Sequence, residues 1–187
     1  MARNKTLYSL LIAALMVALG LVLPLFLGQV QILNQSISPM HIPALIAGLT
    51  CGPIYGAAAG FIMPLLRMVI FGMPPVAVAV PMAFELAAYA AFAGLFYPIM
   101  VRVLKKGHLP AMLVAMLIAM LAGRLIGGAA KAIFMGLNGN SYAFSTFINA
   151  YFVTTAVGAV VHLIVCPVIT LALEKARLSP LGATLDK

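Results

Sequence analysis

Tryptophan is absent from the 187-residue chain, only three residues are acidic, and only two are cysteine. Each shortage excludes something. Charged residues make up 7% of the chain, against roughly 25% in an ordinary soluble domain. Too little polar surface exists to solvate a globule, which excludes a soluble enzyme and a soluble nucleic-acid binder, although the pI of 9.9 alone would suggest the latter. Cys51 and Cys166 stand far apart in apolar sequence, with neither metal-ligand spacing nor a disulfide framework, and are expected as buried thiols. No Gly-x-x-x-x-Gly-Lys-Ser/Thr loop occurs, so ATP is not expected to bind this chain in that way. The one aspartate, Asp186, lies in the tail, and no nucleophile–base–acid set or His/Cys/carboxylate cluster points to an enzyme or a metal site. Without tryptophan, Tyr8, Tyr97 and Tyr142 remain as candidate anchors at the membrane interface.

What the chain has in abundance is apolar sequence: 65% of it is hydrophobic, and the mean hydropathy is +1.17. The length allows about five to seven spans of roughly 20 residues with short loops. The run Leu7 to Leu27 is longer than a signal-peptide core and reads as a first transmembrane helix. Breaks at Gly, Pro and Asn then predict helices over about Thr6–Leu27, Ser38–Cys51, Ile54–Phe71, Val80–Leu104, Pro110–Met135 and Phe144–Leu173. Ser38 and Pro39 read as N-cap and N1 of the second, which is short for a full crossing, and Pro167 is the expected kink in the sixth. The expectation is an all-α integral membrane protein, one domain over residues 1–187, with six transmembrane helices and both termini cytoplasmic. Charge supports that threading. Arg3, Lys5, Arg102, Lys105, Lys106, Lys175, Arg177 and Lys187 all fall on one side, as the positive-inside rule requires of the cytoplasm.

Four ionisable residues remain inside the spans: Arg67, Glu85, Arg124 and Lys131. Intramembrane charge is costly and marks function by default. Arg67 and Arg124 each lie about 14 residues, roughly 21 Å, beyond an inner turn. Lys131 and Glu85 fall in the same outer half. Glu85 is expected to neutralise one cation, Arg67 or Arg124, with Arg67 favoured as its structural partner. Three cations against one acid leave +2, which suits an anionic ligand such as a carboxylate. Polar groups gather at the same end: Gln29, Gln31, Asn34 and His41 near the first outer loop, Tyr89 one turn from Glu85, and Asn138, Asn140, Tyr142 and Asn149 near the last. Asn149 lies within an apolar span and needs a partner there. His162 and Thr154 read as packing and backbone-bonding residues. Small-residue pairs four apart, Ala14/Ala18, Gly48/Gly52, Gly56/Gly60 and Gly123/Gly127, allow close helix approach.

Six short spans, Ala14-x-x-x-Ala18 and a polar first outer loop resemble the substrate-binding S components of energy-coupling factor (ECF) vitamin transporters. Ser38-Pro-Met-His-Ile-Pro43, Cys51-Gly-Pro53, Pro64-Leu-Leu-Arg67, Phe71-Gly-Met-Pro-Pro75 and Ala83-Phe-Glu-Leu86 resemble the pantothenate-type branch. The resemblance implies a non-enzymatic vitamin-binding subunit in the bacterial cell membrane. Its implied partners are a membrane coupling subunit, docked on Ala14 and Ala18, and two cytoplasmic ATPases that hold ATP and Mg. On that expectation Arg124 and Lys131 face the carboxylate of pantothenate or a similar small anionic vitamin. Glu85, Tyr89 and Asn149 bond its hydroxyls or amide, and Gln31, Asn34 and His41 close the pocket. A self-sufficient ion-coupled carrier and a non-transport membrane scaffold are the rival expectations.

Overall fold

The computed structural model describes residues 5–27, 37–105, 107–140 and 142–185, with the side chains of 27, 183 and 184 left aside. Among the described residues there is no strand. The long helices are α1 (Lys5–Leu27), α3 (Pro53–Phe71), α4 (Val76–Leu104) and α5 (His108–Leu137), with the short α2 (His41–Cys51) between α1 and α3. A short α6 (Phe144–Ile148) then runs through a π turn (Asn149–Val153) towards α7 (Ala156–Lys175), and α8 (Gly182–Leu185) follows. Five segments are long and apolar enough to cross a membrane: α1, α3, α4, α5 and the stretch Phe144–Lys175. The sixth expected span is α2. Its 11 residues give about 16 Å of helix, half of a hydrocarbon core of about 30 Å.

Burial explains why so short a helix is stable. Every residue of α2 except Ile42 is buried, so it is the core around which the long helices pack. The long helices instead keep an apolar outer face, such as Leu11, Leu15 and Val22 on α1 and Val157, Val160 and Ile164 on α7. Those faces have lipid as their natural solvent. Gly52, at φ +89°, reverses the chain between α2 and α3, a conformation that glycine adopts without steric cost. The two helices then meet so closely that a Cβ on Gly56 would lie 2.6 Å from the Cα of Gly48.

After α7 the chain folds back beneath α2. Leu181 N donates to Thr50 O at 2.8 Å, satisfying a carbonyl that the end of α2 leaves open. Beside this contact, Tyr97 Oη donates to Glu174 Oε1 at 2.8 Å and lies 2.6 Å from His108 Nδ1, tying α4, α5 and α7 together. Tyr97 is completely buried there and is not an interface anchor. Tyr97→Phe removes a buried donor to Glu174. It is expected to cost about 1–3 kcal/mol, read as a lower unfolding temperature of the purified protein.

Three local expectations are corrected. Ser38 does not cap α2: it takes φ +49°, and the helix starts at His41, whose N–H bonds Ser38 O at 2.9 Å. The fourth and fifth helices begin earlier than expected, at Val76 and His108. The sixth span is interrupted by the π turn at Asn149–Val153 rather than at Pro167, which lies inside continuous α7. Thr154 supplies the reason, since both its N–H and its hydroxyl donate to Asn149 O, at 2.9 and 3.0 Å. Such back-bonding draws a helix out of its i→i−4 register.

Candidate functional site

A cavity of about 290 Å³ opens among the first half of α4, the later part of α5, the start of α2 and the α6–α7 segment. Its charged and polar lining includes His41, Glu85, Tyr89, Arg124, Lys131, Tyr142, Tyr151 and His162. Glycine shapes its floor. A Cβ on Gly127 would lie 2.7 Å from that of Glu85, and one on Gly123 would strike the Tyr89 ring at 2.0 Å. Only glycines let α5 close on α4 here, and that closeness fixes both polar side chains in one position.

Glu85 and His41 meet inside this wall. His41 is 6% exposed. Its Nδ1 lies 3.2 Å from Ser38 O, and its Nε2 lies 3.5 Å from Glu85 Oε1. A carbonyl accepts only, so Nδ1 carries a hydrogen. The ring then turns Nε2 towards a carboxyl group, and that contact is attractive only with a proton between the two. His41 also packs on Tyr89, with centroids 5.1 Å apart, and stacks on His162 at 5.7 Å with the rings 12° from parallel. The expected Arg67–Glu85 pair is therefore replaced by His41–Glu85. Arg67 instead donates through Nη1 to Leu21 O at 2.8 Å, bracing α3 against α1.

The cations are left without acids. Among the described residues the ion pairs are His41–Glu85 and His108–Glu174, and neither involves Arg67, Arg124 or Lys131. Arg124 is 9% exposed, with its guanidinium over the Phe152 ring at 5.4 Å. It lies beside Tyr89, which also neighbours Glu85. Lys131 is half-buried, and its Nζ donates to Ala77 O. Tyr142, in the connection between α5 and α6, has its phenol raised above the ordinary range, first by burial and then by the Glu85 carboxylate. It therefore presents a hydrogen to the cavity at neutral pH.

The structure thus brings Glu85, Tyr89, Arg124, Lys131 and His41 onto one cavity. Arg67 lines an adjoining one. Asn149 is exposed in a shallow recess with Ser145, Thr146 and Thr154, apart from the main cavity's lining. Gln31 and Asn34, with Gln29, lie outside the described residues. His162, Tyr142, Tyr151 and Thr155 line the cavity without having been assigned to it from sequence. For His162 a signal existed: a 3% exposed ionisable ring in an apolar span has a claim to function equal to that of the arginines. For Tyr151 and Thr155 none existed, because the π turn sets which way they face.

The described residues form an all-helical bundle with a half-length central helix and a cavity whose mainly apolar wall carries a few convergent polar groups. A family model described as "ECF transporter, substrate-specific component" matches residues 8–173. The chain belongs to that family, a multi-pass membrane protein that serves as the substrate-binding subunit of an energy-coupling factor transporter and works with a membrane and ATPase module. No curated protein and no solved structure matches it.

Proposed function

We propose that this subunit captures a small anionic vitamin, pantothenate being the ligand the site suits best. The observation that carries the reading is the pair Arg124 and Lys131, two cations on one cavity whose single acid among the described residues, Glu85, is paired with His41. A charge buried without a counter-ion is strongly unfavourable, and an incoming carboxylate supplies that counter-ion. Glu85 is not available for the purpose, being engaged with His41. The Tyr89, Tyr142 and Tyr151 hydroxyls and the His41–Glu85 pair suit the hydroxyls and amide of such a ligand. At about 290 Å³ the cavity is at the small end of ligand sites, which run from about 300 Å³ upward. That size suits a small acid rather than a macrocycle.

The same reading places the cavity towards the outside and both termini in the bacterial cytoplasm, on the basis of where the lysines and arginines fall. Ala14 and Ala18 are exposed on α1, which supports their use as the docking face for the membrane coupling subunit. ATP and Mg belong to the two partner ATPases. Native mass spectrometry of the gently purified protein tests the proposal. A retained ligand with the mass of a carboxylate vitamin is expected, and a cationic or uncharged one would overturn the assignment. Lys131→Gln is expected to weaken pantothenate less than tenfold in calorimetry, since a charge that is only half-buried stays partly screened and solvated.

One observation favours a second reading. The His41–Glu85 contact needs a shared proton, as a self-sufficient proton-coupled carrier would. Uptake by the purified chain alone in liposomes, driven by a proton gradient without ATPases, distinguishes it.

A further inference from the structure

The main cavity has a neighbour. A second cavity of about 510 Å³ shares Ser38, His41, Val78, Met82, Ala150 and Thr155 with the first, so the two adjoin as neighbouring lobes with His41 on the boundary. Among the described residues, the only Lys or Arg that lines the second lobe is Arg67. Its construction repeats that of Arg124. Each residue is 9% exposed, and each guanidinium lies over an aromatic ring, Arg67 over Phe71 at 5.5 Å and Arg124 over Phe152 at 5.4 Å. Neither has an ion pair among the described residues. Helix bracing accounts for one bond from Arg67, to Leu21 O. A guanidinium has five N–H donors in a planar fork. A structural tie to a carbonyl needs no charge, and an uncompensated charge works against it.

We propose that Arg67 is a second anchor of the ligand site: the ligand spans both lobes, with its acid at Arg124 and Lys131 and a second acceptor group, a hydroxyl, carbonyl or further acid, at Arg67. The anchors differ in role. Arg124 and Lys131 together select the anion, and Arg67 selects ligands long enough to pass His41 and carry an acceptor at the far end. This rests on the anion-binding reading above but not on the choice of vitamin.

Bromide is the probe. Crystals of the full chain grown with bromide in place of chloride are expected to show anomalous peaks at both guanidinium groups, with the Arg67 peak absent in Arg67→Gln and the Arg124 peak kept. A peak at Arg124 alone overturns the second anchor and leaves the anion-binding reading standing. No peak at either overturns both. The parent protein's own peaks decide the question, so a variant that fails to fold does not blunt the test.

Discussion

Arg124→Gln is expected to weaken binding of the anionic ligand ten- to hundredfold while leaving the ligand-free protein as stable as the parent or more so. The two halves of this result have one cause. In the free protein Arg124 is 9% exposed, forms no ion pair among the described residues and rests its guanidinium on the face of Phe152. Burying such a charge opposes folding, and an uncharged side chain of similar reach relieves that opposition. In the complex the same charge meets a carboxylate in a site sheltered from water. A hydrogen bond to a charged group contributes about 1.5–3 kcal/mol, which converts to the stated range. A purely structural arginine gives the reverse pattern, lower stability with unchanged affinity. Titration calorimetry with pantothenate and thermal unfolding of the same preparation separate the two, with Arg102→Gln, an exposed cation at the other end of α4, as the control. Unchanged affinity in Arg124→Gln would sink the assignment.

The second large effect concerns assembly of the fold. Gly48→Ala is expected to destabilise the protein by about 3 kcal/mol, the upper end of what overpacking usually costs. A Cβ at Gly48 would stand 2.2 Å from Ala90 O, and the obstacle is backbone, which cannot rotate away. A Cβ built on Gly56 or on Gly94 would in turn lie 2.6 Å from Gly48 backbone atoms, so α2, α3 and α4 all converge on this one residue. Relief at one contact tightens another. Gly136→Ala is the matching control, because a Cβ there meets nothing within 4 Å, and alanine is the better helix former. Thermal unfolding in detergent should show a large fall for the first variant and no fall for the second. Equal melting of Gly48→Ala and parent would mean that the helices are not packed through this glycine.

These two sites also show what can be read from sequence in a chain like this. Gly48/Gly52, Gly56/Gly60, Gly123/Gly127 and Ala14/Ala18 share one spacing. In the structure Gly48, Gly56, Gly60, Gly123 and Gly127 are close approaches inside the bundle, whereas Ala14 and Ala18 are exposed. Spacing says that two helices can approach, and the tertiary fold says whether a second helix is there. The ionisable residues divide in the same manner. Their similar depth was legible because helical rise is fixed at 1.5 Å per residue, and Glu85, Arg124 and Lys131 do share a cavity, with Arg67 in the next lobe. The partner of Glu85 was not legible. His41 and Arg67 lie on different helices, and the choice between them depends on the rotation of each helix about its own axis. In soluble proteins an apolar stripe reveals that rotation. Here α1, α4 and α7 carry apolar residues almost all the way round, with their few polar residues forming no continuous face, so the sequence contains no such stripe.

By itself, then, the amino-acid sequence determined the solvent, the helical class, the approximate limits of the helices and a cluster of intramembrane charges, positive in excess, at similar distances along them. Each follows from composition or from distance along a helix, which are properties of single segments. Only the tertiary structure decided that α2 is a buried half-length core, that His41 rather than an arginine meets Glu85, that His162 and Tyr151 face the cavity, and that Arg67 lines a second lobe. Those depend on which faces of different helices meet. That is set by glycine contacts between segments and by a π turn at Asn149–Val153, where a hydroxyl from Thr154 redirects the chain.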